Sequence, residues 1–565
     1  MISLDSRNRL HSRSGLGRFG RLVPSIAVLV TTLAGVTAGP AAFAQSETVL
    51  RRLGVGHGAD SIGVRPPGAD EEGVGPSAIF AAPDGRVFLL DQLNGRILTM
   101  KGTGSDAPIE TMKLPEGLVP QDVVAVKNRL YVWDGGVHAL EGRASAGGEG
   151  TLEARAVGDV DDDTRSAFAQ MGSQMPSSEV EAVEAAGRAA TSDELGAPIR
   201  QHVASQALGA VDIEIVTQKD GRSAIIELRP ESNPLDLRRM RLQVVGKLGA
   251  IEILDVIGRG DTYVFTESIA AKPKEASGAF VVAFDRAGRL VRIYDLPIAP
   301  DQFPSRRFVT VTPKGQVLYL KSDASGVSII EVTRRTPGKK GIVDVAPTRA
   351  PEPSPGLVEA DQKFITAIRP GTRLGAIQTG LAFEGLKWMV TAKNYGPDPD
   401  RACVGFEGRT RRPGYLDRKV GQEVRGIPYC WGCFGSFINF KRQVDRGVLA
   451  GNWCTRENPR RDVVGVDCSA FVSQCWGLSR HHTTADIPSI TQRLSNPWDL
   501  KPGDALNKPG SHVMLFVKFT PDRKVEVLEA STGGCNGRVC RNVYPLSVLL
   551  ARGYAPVRYT ALKDQ

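Results

Sequence analysis

The feature that most limits the possible folds is a recurring pair of strand-length apolar runs joined by a short turn. Three copies are clear in the sequence, at 79–91, 123–134 and 308–320. Glycine or asparagine stands in each turn, where a tight hairpin needs residues that tolerate positive φ. Further turn signals at 219–221, 259–261 and 286–288 give a repeat of about forty to fifty residues, which is typical of propeller blades.

The unit at 79–91 resembles the blade motif of NHL-type β-propellers. We therefore expect an all-β, propeller-like domain of five or six blades over 45–345, with a helical insert at about 158–195, where the chain is acidic and rich in alanine. A β-sandwich, or two smaller β units, is the alternative. Since no residue in this region stands out as catalytic, we expect it to bind a partner or to serve as a scaffold.

The first 44 residues have the composition of an export leader. Arginines between Arg7 and Arg21 precede an apolar run from Leu22 to Val36, and Ala42-Phe43-Ala44 offers a cleavage site of small residues. The apolar run is short and no comparable stretch recurs, so no stable membrane anchor is expected. The mature protein is predicted to reside in the periplasm, in the cell envelope or outside the cell.

Length and charge limit the remaining possibilities. A chain of 565 residues is too long for one hydrophobic core. The proline-rich stretch 346–357 is predicted to be a stiff linker to a second domain at 358–565, in which apolar spacing at 372–393 predicts a helix. The net charge of +9 suits anionic wall polymers and solubility alike, and no basic-aromatic stripe indicates nucleic-acid binding.

The C-terminal third contains the residues of a thiol-nucleophile site. Cys468 begins an apolar-striped segment that is predicted to be helical, and a helix N-terminus lowers the pKa of a thiol. His512 opens a β-rich run, and the turn at 520–523 returns the chain so that Glu529 can lie beside His512. Cys468, His512 and Glu529 are therefore the predicted nucleophile, base and orienting carboxylate.

This region resembles the NlpC-type cell-wall cysteine peptidases, which have a papain-like α+β fold. The matching segments follow the order of that family: Gly426-Ile427-Pro428-Tyr429-Cys430-Trp431-Gly432, Asp467-Cys468-Ser469-Ala470-Phe471-Val472, Leu500-Lys501-Pro502-Gly503-Asp504, Ser511-His512-Val513 and Glu529-Ala530-Ser531. The resemblance implies Cys468 as nucleophile and His512 as base. It also implies a substrate cleft that includes Tyr429, Trp431, Asp467 and Ser469.

Three departures from that family pattern stand out. Ala470 replaces the usual glycine, and Glu529 occupies a position that is often histidine, with Ser531 and Asn536 as rival polar partners. A long insertion, 433–462, separates the Tyr429 segment from the nucleophile and is expected to reshape one wall of the cleft. His481 and His482 are expected at the surface.

All eight cysteines lie in the C-terminal third: Cys403, Cys430, Cys433, Cys454, Cys468, Cys475, Cys535 and Cys540. With Cys468 reserved for chemistry, Cys475 is expected to be a second free thiol packed among apolar residues. Cys535 and Cys540 flank the turn pair Asn536-Gly537 and form the expected local disulfide. A zinc site on Cys430, Cys433, Cys403 and Cys454 is the alternative to disulfides, which the leader favours.

Two functions are therefore in play. The first is an exported thiol hydrolase that cleaves amide bonds of peptidoglycan stem peptides, or of another peptide-amide substrate, without metal or cofactor. The second is a non-catalytic cell-envelope protein that recognises a partner through its propeller.

Overall fold

The computed structural model describes residues 47–564, except for 69–70, 105–106, 128, 144–148, 159, 170–197, 206, 259, 271–274, 339–340, 345–370, 397–411 and 453–461. The predicted leader and the proline-rich linker lie outside the described residues. None of the helices that are described has the length and apolar character needed to cross a membrane.

The N-terminal part consists of short strands joined mostly by tight turns. In chain order they are β1 Thr48–Val55, β2 Ser61–Ile62, β3 Ala78–Ala81, β4 Arg86–Asp91, β5 Arg96–Lys101, β6 Ile109–Lys113, β7 Asp122–Val126, β8 Arg129–Trp133, β9 Val137–Arg143, β10 Glu149–Ala156, β11 Ile199–Ser205, β12 Gly209–Thr217, β13 Ser223–Pro230, β14 Arg238–Gln243, β15 Lys247–Ile257, β16 Asp261–Ile269, β17 Gly278–Phe284, β18 Leu290–Asp295, β19 Val309–Val311, β20 Val317–Asp323, β21 Gly326–Glu331 and β22 Arg334–Arg335. The predicted turns form because glycine takes up the left-handed backbone, as at Gly85 (φ 83°) and Gly315 (φ 79°).

These strands form five four-stranded units, which fits the predicted propeller-like fold. They are β3 to β6, β7 to β10, β11 to β14, β15 to β18, and β19 to β21 with β1. A short parallel pairing of β6 with β10 joins the first two units at their edges. Strand β1 pairs antiparallel with β21, so the N-terminal strand completes the last unit.

The first strands of neighbouring units pack together around a centre. Strand β19 contacts β3, β3 contacts β7, β11 contacts β15, and β15 contacts β19. Helix α1, Asp162–Ala169, contacts both β7 and β11 and lies between the second and third units. Arg307 donates two hydrogen bonds of 3.0 Å to Asp122 and one of 2.9 Å to the carbonyl of Ala167. This arginine therefore ties the fifth unit to the second unit and to α1.

The C-terminal part combines helices with one antiparallel sheet. Its helices are α2 Arg373–Gly385, α3 Phe437–Asp445, α4 Cys468–Cys475, α5 Ile487–Ile490 and α6 Leu546–Ala551. Its strands are β23 Lys387–Met389, β24 Glu423–Arg425, β25 Leu449–Ala450, β26 Val463–Val464, β27 Thr491–Arg493, β28 Ala505–Lys508, β29 His512–Phe519, β30 Val525–Ser531, β31 Arg538–Tyr544 and β32 Ala555–Tyr559. The sheet has the order β27-β32-β28-β29-β30-β31.

The helix predicted over 372–393 is shorter than expected. Thr372 caps its start, since the Thr372 side chain accepts a 3.0 Å hydrogen bond from the Gly375 N–H. The helix ends at Gly385 because Leu386 turns into extended backbone. Trp388 therefore lies in β23, where it is buried and donates its indole N–H to the carbonyl of Gly426 at 3.0 Å.

The two faces of the C-terminal sheet have different neighbours. Helices α2 and α4 pack on one face. The other face packs with α6, and α6 contacts β15, β16 and β17 of the propeller-like part. Glu267 of β16 accepts hydrogen bonds from the backbone and the hydroxyl of Ser547, at 2.6 and 2.5 Å. Residues 46–565 thus form one compact unit.

Candidate functional site

Cys468 is the first residue of helix α4, as the sequence predicts. It forms no disulfide, and its side chain is fully buried. Asp467 caps the helix by accepting a 2.7 Å hydrogen bond from the Ala470 N–H. This local geometry suits a thiolate, and the Cys468 side chain is closed off from solvent in this conformation.

Asp467 holds the start of this helix in place. Its carboxylate also accepts a 2.7 Å bond from the Gly432 N–H and a 3.1 Å bond from the Ser469 hydroxyl. Burial opposes ionisation of Asp467, but His481, whose Nε2 lies 3.4 Å away, and the backbone N–H donors outweigh it and lower its pKa. Nε2 of His481 also lies 2.8 Å from the Ser469 hydroxyl. His481 therefore places an imidazole at the start of helix α4.

His512 and Glu529 lie side by side on β29 and β30. Nε2 of His512 is 2.6 Å from a carboxylate oxygen of Glu529, and both side chains are buried. The other oxygen of Glu529 accepts hydrogen bonds of 2.7 Å from the Asn542 amide and from the Tyr544 hydroxyl. Burial opposes charge on both partners, yet their mutual attraction and hydrogen bond raise the pKa of His512 and lower that of Glu529.

The hydrophobic clusters place Cys468 and His512 on opposite faces of the C-terminal sheet. Cys468 shares a cluster with Val513 and Leu515, the neighbours of His512 that point toward α4. Successive residues of a strand point to opposite faces. His512 accordingly lies on the face of Met514, which belongs to the separate cluster beside α6. The strand register determines this result, and sequence periodicity alone does not show it.

Three of the four residues predicted to bind substrate are buried. Tyr429 is 2 % exposed and forms a β-bridge with Val466, the residue before the Asp467 cap. Ser469 and Asp467 are both buried, and the Ser469 hydroxyl donates a hydrogen bond to the Asp467 carboxylate. Trp431 is partly exposed and donates its backbone N–H to the carbonyl of Asn452 at 2.8 Å. The described part of the chain therefore shows no open cleft formed by these four side chains.

Two disulfides indicate an oxidising compartment. Cys535 pairs with Cys540 across the predicted turn, where Asn536 has a φ of 51°. The sulfur atoms of Cys430 and Cys433 lie within disulfide distance of each other. Cys403 and Cys454 lie outside the described residues. Cys475 is reduced and buried, and its burial raises its pKa well above the usual value.

A cavity of about 970 Å³ lies between the propeller-like part and the C-terminal sheet. The propeller-like part contributes loops from 55–68, 92–94, 119–121 and 302–306. The C-terminal part contributes 532–534, 542–545 and neighbouring side chains. This volume is in the range of small-molecule sites. Sequence reasoning missed the cavity because residues distant in the chain form its walls.

Charged side chains surround this cavity. Arg552 donates a 2.5 Å hydrogen bond to Glu72, and the cavity is also lined by Arg306 and Tyr544. Burial raises the pKa of Glu72, but Arg552 and then His512 outweigh that effect and lower it. The His512–Glu529 pair contacts the cavity wall through Asn542 and Tyr544, which line the cavity and donate hydrogen bonds to Glu529. In the sequence, the only hint of this cavity is the pair Arg306-Arg307 before β19. Two adjacent arginines are not a specific signal of a binding site.

Comparisons with known proteins give weak structural neighbours. A streptogramin B lyase matches 51 % of this chain and 99 % of its own, at 9 % identity and a TM-score of 0.25. A catalytically inactive virginiamycin B lyase from Staphylococcus aureus with quinupristin is matched over 46 % of this chain and 67 % of the lyase chain, at 11 % identity and a TM-score of 0.14. A luciferin-regenerating enzyme is matched over 48 % of this chain and 95 % of the enzyme chain, at 8 % identity and a TM-score of 0.19. No family model and no curated protein matches the chain.

Proposed function

We propose that this chain is an exported cell-envelope binding protein that holds its ligand between the propeller-like part and the C-terminal sheet. The observation that carries the proposal is the cavity of about 970 Å³, to which both parts of the chain contribute walls. The two disulfides support a location outside the cytoplasm. The ligand class is peptidoglycan or another peptide-amide molecule, which the net charge of +9 suits through the anionic groups of the wall.

A papain-like thiol hydrolase is the second candidate. One observation favours it, because Cys468 forms no disulfide and begins a capped helix whose backbone N–H groups could stabilise an oxyanion. Two observations count against it, namely the full burial of Cys468 and the position of His512 on the opposite face of the sheet. A hydrolase would need a rearrangement of the site or a different base, for which His481 is the nearby imidazole.

The test uses the mature protein, Cys468→Ala and Ser305→Trp, each incubated with peptidoglycan sacculi. Ser305 lines the cavity, so an indole at that position fills it, while Leu235→Trp, at a residue that is 94 % exposed, is the matched control. Co-sedimentation reports binding, and mass spectrometry reports released fragments. We expect the wild type, Cys468→Ala and Leu235→Trp to sediment with the sacculi without new fragments, and Ser305→Trp to stay in solution.

Other results have definite meanings. New amide-cleavage fragments from the wild type that are absent with Cys468→Ala would establish the hydrolase. Equal sedimentation of Ser305→Trp and the wild type would move the binding site away from the cavity. Failure of the wild type to sediment would eliminate the wall as ligand.

A further inference from the structure

Arg306 is the charged group of the cavity with the most unusual surroundings. Its Nη1 donates hydrogen bonds to the side-chain oxygens of Gln121, at 3.1 Å, and of Asn542, at 3.5 Å. Its guanidinium lies over the ring of Trp133, 4.3 Å from the centroid. Both contacts hold the guanidinium plane in one orientation at the cavity wall.

Within the described part of the chain, no carboxylate lies within ion-pair distance of Arg306. The neighbouring acids have other partners, since Asp122 binds Arg307 and Glu529 binds His512. The Nε of Arg306 is buried without a hydrogen-bond partner. Its Nη2 likewise makes no hydrogen bond among the described residues, because both bonds to the guanidinium use Nη1.

The edge formed by Nε and Nη2 is the one that pairs side-on with a planar carboxylate through two parallel hydrogen bonds. Burial lowers the pKa of Arg306, a sign that its positive charge is under-compensated in this environment. An anion at this edge would satisfy both donors and balance the charge.

We propose that Arg306 anchors a binding site for a ligand that carries a carboxylate on an apolar body. The apolar body follows from the rest of the wall, which includes Val74, Phe303, Phe308 and Val548. The inference deepens the proposed function and rests on it for the position of the site, and it adds the chemistry that the ligand must have. Peptides of the cell wall and other acyl amino acids share this chemistry.

The experiment measures the affinity of the full mature protein for two probes by calorimetry. The probes are N-benzoylglycine and its primary amide, which differ only in the carboxylate. We expect the acid to bind at least about tenfold more tightly than the amide, because the amide cannot form the charge-assisted pair with Arg306. Arg306→Gln should lower the affinity for the acid by about the same factor and leave that for the amide unchanged. Arg334→Gln, at an exposed arginine, is the matched control.

Arg306→Lys separates charge from geometry, because lysine keeps the charge and loses the planar fork. We expect intermediate affinity, with circular dichroism confirming that each variant is folded. Equal affinities for acid and amide, undiminished binding by Arg306→Gln, or no binding of either probe would overturn the inference. If one of these results is found and the protein still sediments with sacculi, the proposed function stands without the carboxylate site. If the probes bind as expected and sacculi do not, the wall ligand fails and the carboxylate site stands.

Discussion

At the scale of residues, the His512–Glu529 pair shows how neighbours set the charge of buried groups. Glu529 uses both oxygens, one toward His512 and the other toward Asn542 and Tyr544. Each additional donor favours the carboxylate, and the carboxylate in turn favours the imidazolium. The pair therefore stabilises the fold only while both members carry charge.

The first prediction concerns the pH dependence of this stabilisation. Because the pKa of His512 is raised, its contribution is complete below the ordinary value of 6.5 and is lost as the pH rises through the raised value. Because the pKa of Glu529 is lowered, the contribution of Glu529 to stability is complete above pH 4.5 and is lost as the pH falls through the lowered pKa. Both contributions are complete between pH 4.5 and pH 6.5. In that window Glu529→Gln should therefore lower the free energy of unfolding most, by about 3 to 5 kcal/mol.

Urea unfolding over a series of pH values measures the difference between wild type and Glu529→Gln. The control is Glu110→Gln, since Glu110 forms an exposed ion pair with Lys101 and should change stability by no more than about 1 kcal/mol. A difference that does not vary with pH would show that the pair is not charged in the folded protein.

The second prediction concerns the thiols. Cys468 is 0 % and Cys475 is 2 % exposed, so neither should react with a thiol reagent in the native protein. We expect Cys468→Ala and Cys475→Ala to leave the native rate of labelling unchanged, and each to remove one reactive group after denaturation. Spectrophotometric titration with an aromatic disulfide measures both. Fast native labelling that disappears in Cys468→Ala would indicate an accessible nucleophile and would favour the hydrolase.

At the scale of elements, the closure of the propeller-like ring depends on one strand. Strand β1 supplies the fourth strand of the last unit, although it is the first described strand of the chain. Leu53 of β1 is buried in the cluster that also contains Leu89, Leu318 and Ile329. The side chains of β1 that point outward, such as Val49, are more exposed.

The third prediction tests this closure. Leu53→Ala removes buried apolar contacts and should lower the free energy of unfolding by about 2 to 5 kcal/mol. Val49→Ala, in the same strand, should change it by about 0.5 kcal/mol or less. Chemical unfolding followed by circular dichroism measures both variants. Equal effects of the two substitutions would mean that β1 is not packed as an internal part of the last unit.

The sequence predicts these elements better than it predicts their assembly. The hairpins at 79–91, 308–320 and 512–530 were predictable because turn residues and alternating apolar residues are local signals. The proximity of His512 and Glu529 follows from the last of these hairpins. The pairing of β1 with β21 and the face that His512 occupies depend on contacts between distant segments, and a local pattern contains no information about them.

At the scale of the whole molecule, a buried charge pair joins the two parts. The ammonium of Lys524 lies 2.9 Å from Glu252 of β15 and 3.3 Å from Asp522. Burial opposes the charge of Lys524, but the two carboxylates outweigh it and raise its pKa. This contact ties the C-terminal sheet to the fourth unit of the propeller-like part.

The fourth prediction tests the coupling of the two parts. Lys524→Gln removes a buried positive charge and leaves two carboxylates with less compensation, at a cost of about 3 to 5 kcal/mol in the free energy of unfolding. We expect tryptophan fluorescence and far-ultraviolet circular dichroism to give one shared transition for the wild type and two separate transitions for the variant. Lys314→Gln, in an exposed turn, is the control and should behave like the wild type. Coincident transitions for Lys524→Gln would show that other contacts suffice to couple the parts.

The position of β1 also determines the order in which the chain can mature. The ribosome makes this strand early, yet its partner β21 emerges only after the other units have been synthesised. Until then the strand has an open hydrogen-bonding edge, which is an opportunity for chaperones and a risk of association between nascent chains. The ring can thus be sealed once β21 has emerged, whereas the cavity can enclose a ligand only after the C-terminal residues of its wall, 532–534 and 542–545, have followed.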